Sequence, residues 1–346
     1  MTFDPGRLLV TGGAGFIGSA FVRMVLSTYP GLRVTVLDKL TYAGQRSNLA
    51  EVDDDPRFRF VRGDIADAEV VDALAADADA ILNFAAESHV DRSIESAADF
   101  VHTEIQGTLV LLEAARRHGH ERFLQVSTDE VYGDVPDGSS LESDPVRPRS
   151  PYAACKAGAD LLVLAFATTY GLPTLVTRGS NTFGPHQYPE KLIPLFVTNA
   201  IDDEPLPLYA DGLQVRDWLY VDDHCRAIDV VLRRGSPGSV YNAGAGNEMA
   251  NLELTREILE ILGKPASLIR HVEDRAGHDR RYSVDSSRLR GLGWSPGEPF
   301  SVALGQTVEW YQEHPDWWRP LKDGEFRDYY RRQYEIRLRT GTPTLE

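Results

Sequence analysis

Two carboxylates stand side by side at Asp129 and Glu130, directly after a pair of hydroxyls, Ser127 and Thr128. The run before them, Phe123-Leu-Gln-Val126, reads as a buried strand, so a hydroxyl and two acids arrive together at a strand's carboxyl end. In an open parallel α/β sheet that end is where ligands bind. Adjacent acids beside an apolar strand are costly to place unless they are solvated, paired or used. If used, they suit acid–base chemistry in which one carboxylate takes a proton while the other gives one. A solvated strand-to-loop turn is the plain alternative, and residues elsewhere must decide.

Tyr152 and Lys156 form a second group, four residues apart behind Ser150-Pro151. Ser150 suits a helix N-cap and Pro151 the first helical position, which predicts a helix running to about Tyr170. Four helical residues rise about 6 Å, so Tyr152 and Lys156 share one face. The helix start and the ammonium both favour a phenolate, so a lowered Tyr152 pKa is expected. Such a tyrosine can take a proton from a substrate hydroxyl.

A third group is a glycine loop. Arg7-Leu-Leu-Val10 is an apolar strand, Thr11 to Gly18 follows at once, and a helical pattern covers Ser19 to Leu26. Gly13, Gly15 and Gly18 have the G-x-G-x-x-G spacing in its strand–turn–helix setting. Glycines there allow a tight turn and close backbone approach to a pyrophosphate, which the helix N-terminus then holds. Asp38 ends the next strand, Arg33–Leu37, about twenty residues beyond Gly18, where a carboxylate binds ribose hydroxyls and disfavours a 2′-phosphate. That pattern favours NAD. Asp64, after the strand Phe58–Val61, reads either as an acceptor for adenine or as the N-cap of the following helix.

The elements that must carry these groups alternate along the chain. Strands at 80–84 and 175–178, and an amphipathic helix over 101–117 stopped at His118-Gly119, complete the pattern. The expected fold class is α/β: a Rossmann-type doubly wound parallel sheet with a smaller C-terminal substrate-binding lobe. The expected division is 1–180 for the dinucleotide-binding domain, with later segments returning to it, 181–335 mainly for the lobe, and 336–346 as a tail, loose from Thr340 onward. Trp317 and Trp318 are expected to pack the C-terminal helices.

Composition narrows the partners. The chain has 346 residues, 42% hydrophobic and 25% charged, with a formal net charge of −16. Such acidity argues against nucleic acid and anionic membrane, and no apolar run is long enough for a transmembrane helix. Cys155 and Cys225 make no disulfide framework, and no set of side chains has metal spacing, so no metal is expected. With no signal-peptide pattern at Met1-Thr-Phe-Asp-Pro-Gly, a cytoplasmic location is the expectation.

Taken together, Thr11 to Gly18, the strand-end Ser127-Thr128 and Tyr152-x-x-x-Lys156 resemble the extended short-chain dehydrogenase/reductases. Within these, Phe84-Ala-Ala-Glu-Ser-His-Val-Asp-Arg-Ser93, Ser127-Thr-Asp-Glu-Val-Tyr-Gly133, Pro189-Glu-Lys-Leu-Ile-Pro194 and Asp274-Arg-Ala-Gly-His-Asp-Arg-Arg-Tyr282 resemble the dTDP-glucose 4,6-dehydratase family. The resemblance covers residues 7 to about 320. It implies a hydro-lyase that oxidises the sugar at C4 with NAD, eliminates water across C5 and C6, and returns hydride to C6. It implies Tyr152, assisted by Lys156, as base for the C4 hydroxyl, Thr128 as its hydrogen-bonding partner, Glu130 as base at C5 and Asp129 as acid for the C6 hydroxyl.

The same resemblance implies a tightly held NAD, regenerated each turnover, against Gly12, Gly15, Phe16, Ile17, Gly18, Asp38, Lys39, Thr41, Asp64, Ile65, Phe84, Ala85, Ala86, Ser88, Thr103, Tyr152 and Lys156. It implies a dTDP-glucose site at Ser88, His89, Thr128, Asn181, Lys191, Leu192, Pro207, Tyr209, Arg216, Asn251, Arg275 and His278. An arginine cluster at 275–281 in so acidic a chain fits a local diphosphate site. Homodimerisation through a four-helix bundle of helices 101–117 and 152–170 is also implied. Two positions depart from the family pattern: Thr182 stands where a second Asn is usual, and Cys155 where Ser is usual. Alternatives are a UDP- or other NDP-glucose 4,6-dehydratase, a sugar-nucleotide 4-epimerase or decarboxylase, which would not need both acids, and a non-catalytic NAD-binding sensor.

Overall fold

The computed structural model describes residues 2–335, 337–338 and 342–343. Short runs of Leu, Val, Ile and Phe form the strands of the first half: β1 (Arg7–Thr11), β2 (Arg33–Asp38), β3 (Phe58–Arg62), β4 (Ala80–Asn83), β5 (Arg122–Thr128) and β6 (Thr174–Gly179). The second half adds β7 (Asn181–Phe183), β8 (Leu206–Tyr209), β9 (Val215–Tyr220), β10 (Ser239–Ala243), β11 (Glu248–Ala250), β12 (Ile269–Val272) and β13 (Thr342–Pro343). Seven strands join in the order β10-β6-β5-β4-β1-β2-β3, all parallel. Chain order reverses at β1, which lies between β2 and β4, and this switch point opens a crevice above the strand ends.

Period-two alternation explains why both faces of that sheet are apolar. Leu8, Val10, Val34 and Val36 face one layer of helices, including Phe16–Thr28 and Val221–Arg234. Leu9, Leu37, Ile81 and Phe123 face the other, with Ala68–Ala75, Thr108–His118 and Pro151–Tyr170. A second core, with Phe196, Leu254, Ile258, Leu304 and Trp318, belongs to the lobe. Two three-stranded sheets, β11-β9-β7 and β13-β12-β8, frame it. Trp318 is buried there and donates to the Tyr311 carbonyl at 2.7 Å, while Trp317 packs at the edge.

Three local expectations are corrected. The stretch 101–117 is not one regular helix: Val101–Gly107 winds in wide π-helical turns before the α-helix Thr108–His118. Glu104 points inward from it, and Gly107 lies so close to Ile65 that a Cβ would stand 2.4 Å from its Cδ1. Asp64 is not a helix cap; Asp67 caps Ala68–Ala75 by accepting from the Glu69 and Val70 amides. The tail is not wholly loose. Most of it lies outside the described residues, but Thr342–Pro343 pairs antiparallel with Arg270 and His271 of β12.

Other local signals act as their chemistry suggests. Ser150 accepts from the Ala153 amide at 3.1 Å with Pro151 in the first turn, and Gly119 ends its helix in the left-handed region at φ 67°.

Candidate active site

The crevice at the switch point is a single cleft between the seven-stranded sheet and the lobe. Its floor is the glycine loop. A side chain at Gly12 would put Cβ 2.4 Å from the Ala85 amide nitrogen, and one at Gly18 would put it 2.3 Å from the Gly12 carbonyl. Gly13, by contrast, packs on Val36 and does not line the cleft, so the cradle is built from Gly12, Gly15 and Gly18. The helix Phe16–Thr28 begins after Gly15 with no side-chain cap, leaving its first N–H groups directed at the cleft.

Asp38 is buried at the end of β2, and its two oxygens accept from the Ala14 amide at 2.9 Å and the Leu40 amide at 2.8 Å. It therefore locks the glycine loop as well as facing the cleft. Burial pushes its pKa up against those two hydrogen bonds. Asp64 pairs with Lys39 at 2.8 Å and meets His102 at 3.2 Å on the same wall. Gly12, Gly15, Phe16, Ile17, Gly18, Asp38, Lys39, Thr41, Asp64, Ile65, Phe84, Ala85, Ala86, Ser88, Thr103, Tyr152 and Lys156 all line this cleft. A glycine cradle, an uncapped helix end and a carboxylate at the end of β2 fit a dinucleotide without a 2′-phosphate.

The reactive groups meet where β5 ends. A 3-10 turn, Asp129–Tyr132, follows Thr128, whose hydroxyl donates to Asp129 Oδ1 and accepts from the Glu130 amide, each at 3.2 Å. Asp129 is buried, and its Oδ2 has no partner among the described residues. Burial, then Glu130 and Asp217, hold Asp129 well above the usual carboxylate range. Burial also raises Glu130, but the fields of Arg275, Lys191 and Arg216 oppose that rise. The two acids thus occupy different electrostatic environments, one suited to keeping a proton and the other to losing it.

Tyr152 departs from expectation. Its pKa is pushed well above 10, first by burial and then by Glu130 and Glu104, with Thr128 pulling the other way. Lys156 does not prevail because its charge is engaged elsewhere: Nζ lies 3.1 Å from Glu104 Oε2 and donates to the Val126 carbonyl at 3.2 Å. Burial outweighs the helix start.

The substrate candidates fall into two groups. Ser88, Thr128, Asn181, Lys191 and Leu192 line the cleft with the reactive residues. Asn181 Oδ1 is buried there without a partner, and the Lys191 ammonium contacts the Ser88 carbonyl. His89, Pro207, Tyr209, Arg216, Asn251, Arg275 and His278 do not line it. Several of them are bonded to the protein itself, while Asn251 Oδ1 and His89 Nδ1 are buried without a partner among the described residues. Arg275 pairs with Asp91 at 3.1 Å, and Tyr209 donates to Asp91 at 3.0 Å. Arg216 donates to the Asp279 carbonyl at 2.9 Å and lies over the Tyr282 ring, and His278 meets Asp274 at 2.6 Å. His89 is buried, 3.4 Å from the Glu190 carbonyl and against Tyr329. Arg216 and Arg275 still act electrostatically on Glu130, so this cluster adjoins the acids.

Sequence reasoning missed several groups. Glu87, Gln187, Tyr188, Glu190, Trp218 and His224 line the cleft, and Glu87 is pushed up to about 7 by burial and by Asp99. Thr182 lines it too, with Oγ1 2.8 Å from His224 Nδ1. Glu104, beneath Lys156, carried a usable signal: it falls in phase with the buried stripe Gly107, Thr108, Leu111, Leu112 and Ala115. Among the described residues there is no cluster able to hold a metal and no helix long and apolar enough to cross a membrane.

Comparison with known proteins adds a consistent picture. Residues 9–307 match the GDP-mannose 4,6 dehydratase family. A dTDP-glucose 4,6-dehydratase of Streptomyces niveus is 56% identical over 91% of this chain and 96% of its own length. The low-salt glycan biosynthesis protein Agl12 of Haloferax volcanii is 57% identical over 88% and 98%. The crystal structure of DesIV, a dTDP-glucose 4,6-dehydratase of Streptomyces venezuelae with NAD and dTDP bound, superposes with a TM-score of 0.90 at 55% identity, covering 91% of this chain and all of that one. The UDP-glucose 4-epimerase of Thermus thermophilus, in complex with NAD, shares the fold at a TM-score of 0.82 but only 32% identity, over 89% of this chain and 99% of its own.

Proposed function

The chain belongs to the GDP-mannose 4,6 dehydratase family, on its dTDP-glucose 4,6-dehydratase branch, and from that premise we propose how its residues divide the reaction. It is a hydro-lyase that turns dTDP-glucose into the 4-keto-6-deoxy sugar with no net redox change. NAD, when bound, supplies the hydride acceptor at C4 and the hydride donor at C6. Gly12, Gly15 and Gly18 hold its pyrophosphate, and Asp38 its ribose.

Tyr152 takes the proton of the C4 hydroxyl, and Thr128 orients that oxygen. The ketone formed at C4 acidifies the C5 hydrogen. Glu130 removes that hydrogen as a proton while Asp129 gives its own to the C6 hydroxyl, which leaves as water, and a proton returns to C5 when C6 is reduced. The observation that carries this division is the contrast between the acids. Asp129 is buried with an unpartnered oxygen and pushed well above the usual carboxylate range, while the rise that burial gives Glu130 is opposed by Arg275, Lys191 and Arg216. Elimination needs an acid and a base at once on neighbouring carbons. Epimerisation needs neither, so the pair also separates this reading from the epimerases of the same fold.

The test is the double variant Asp129→Asn/Glu130→Gln incubated with dTDP-glucose. Bound NAD should still be reduced, seen as NADH absorbance, while no 4-keto-6-deoxy product forms. Normal product formation would sink the assignment. UDP-, CDP- and GDP-glucose assayed beside it read the base preference, with dTDP-glucose expected to turn over fastest.

We also place the nucleotide's base and diphosphate at Tyr209, Arg216, Asn251, Arg275 and His278, among which Arg216 and Arg275 act on Glu130 and carry the positive charge an anion needs. Residues 1–180 serve the cofactor and 181–335 mainly the sugar nucleotide. Homodimerisation fits the exposed apolar side chains Val101, Leu109 and Leu161, at 50%, 40% and 55%, on the two helices that would form the bundle. Two free buried cysteines and a soluble nucleotide-sugar substrate fit the cytoplasm.

A further inference from the structure

Lys156 stands one helical turn from Tyr152 and lines the same cleft, and what lies behind it decides how much of its charge reaches the phenol. Glu104 lies there. Its side chain has no exposed surface, and Oε2 stands 3.1 Å from Nζ of a lysine that is itself only 5% exposed. The wide turns of Val101–Gly107 bring it in, while the next residue, Ile105, packs against Gly158, where a Cβ would stand 2.7 Å from its Cδ1. Neither oxygen of the buried Glu104 carboxylate has a hydrogen-bond donor among the described residues, so the Lys156 ion pair is its one close polar contact there. A π-helical segment that aims a buried carboxylate at an active-site lysine is the kind of irregularity that marks a working position.

We propose that Glu104 is a positioning residue for the oxidation step: its carboxylate fixes the Lys156 ammonium behind Tyr152 and sets how strongly that charge acts on the phenol. The inference rests on the roles given above to Tyr152 and Lys156. No second acid serves this purpose equally. Asp160, one turn further along the Pro151–Tyr170 helix, is buried too, but it pairs with Arg178 at 2.9 Å. The other charged groups facing the site are Asp129 and Glu130 after β5 and Glu87 after β4, and all remain when Glu104 is changed.

The sign of the effect follows from charge alone. An anion beside a titrating phenol raises its pKa, so neutralising the anion lowers it. With Glu104 neutralised, Tyr152 would lose its proton more readily. Glu104→Gln, which keeps the shape, should therefore move the whole pH–rate profile of NADH formation to lower pH. Glu104→Asp keeps the charge but withdraws it from Nζ, so it should move the profile the same way by less, and it tests the idea even if the Gln variant does not fold.

The profile is read in single turnovers of NAD-loaded enzyme with dTDP-glucose. Beside it, the phenolate absorbance of Tyr152 is titrated without substrate, as the difference from Tyr152→Phe, and should shift in the same direction. A profile and titration superimposable on those of the unchanged chain, or a rate lowered by one factor at every pH, would overturn the proposal and leave Glu104 a packing residue. If the unchanged chain forms no NADH at all, the reaction assigned above has failed instead, and the phenolate titration still judges Glu104.

Discussion

Gly12 and Arg275 stand on the two sides of the same cleft and are held in different ways. On the cofactor side, backbone does the shaping. Gly12 and Gly18 leave no room for a Cβ, the helix after Gly15 has no side-chain cap, and Asp38 is fixed by the amides of Ala14 and Leu40. Groups there are aimed and free. On the lobe side, the cations are already answered from within. Arg275 pairs with Asp91 and Arg216 with the carbonyls of Val215, Arg280 and Asp279, while His278, its pKa lowered by burial to about 4, meets Asp274 as a neutral imidazole. Asp91 also receives Tyr209, Tyr329 and Gln333, the last two from the C-terminal segment. If both ligands bind as proposed above, the dinucleotide meets a finished mould, whereas the sugar nucleotide's diphosphate meets positive charge that must change partners, which spends part of its binding energy.

Breaking the mould should have the largest effect. Gly18→Val drives a β-branched side chain into the Gly12 carbonyl, a collision with backbone that no rotamer relieves. Purified protein should retain no NAD, as judged by nucleotide released on denaturation, and should form no product. If the variant carried NAD at the normal stoichiometry, the cradle would be adaptable and the contrast between the two sides would disappear.

The matching change in the lobe is Asp91→Ala. It strips a buried carboxylate from Arg275 and three further donors, and removal of one partner from a buried pair costs about 3–5 kcal/mol. Chemical denaturation should report a loss of that order while NAD content stays normal. A loss of NAD with the same change would mean that lobe and cradle are one cooperative unit.

This contrast also explains what the sequence could disclose. Gly12, Gly18, Asp38 and the strands β1 to β5 obey local rules, in which period, spacing and residue type fix geometry within some thirty residues. Tyr152 and Lys156 were legible as a helical pair for the same reason. Asp91, by contrast, joins Tyr209, Arg275, Tyr329 and Gln333, more than one hundred residues away in every case, and no periodicity announces such a hub. The pKa of Tyr152 was misjudged for a related cause. Local rules saw Lys156 four residues on, but not the burial of Tyr152 nor the approach of Glu130 and Glu104 from other elements. The π-helical turns were equally invisible, since they answer to Ile65 and Gly158 on neighbouring elements.

A smaller, pH-dependent effect should follow from Asp129→Asn. Burial holds the folded-state pKa of Asp129 above its ordinary value of 3.8. The folded protein therefore keeps a proton that the unfolded chain gives up, and stability falls as pH rises from the unfolded pKa towards the folded one. Asn cannot ionise. The variant should match the unchanged chain at pH 3 and gain on it progressively above pH 4 in thermal unfolding, even as it loses product formation. An equal gain at all pH values would mean that Asp129 is replaced for packing reasons, not charge, and would put it with the lobe residues whose partners are already in place.

The smallest effect expected is that of Tyr209→Phe. Its hydroxyl donates to Asp91 at 3.0 Å and accepts from Gln333 at 2.8 Å and Arg337 at 3.2 Å, so it braces the C-terminal segment against the Asp91 hub. The ring, which a nucleotide base can stack on, survives the change. Asp91 retains Arg275, Tyr329 and Gln333, so losing the hydroxyl's three hydrogen bonds should cost about 2 kcal/mol of stability. The KM for dTDP-glucose should rise less than the roughly tenfold that 1.4 kcal/mol represents. A KM raised well beyond tenfold with an unchanged denaturation midpoint would place the hydroxyl on the substrate itself. Tyr209 would then be a free, aimed group like those of the cradle, and the lobe would be less committed to its own counter-ions than its ion pairs indicate.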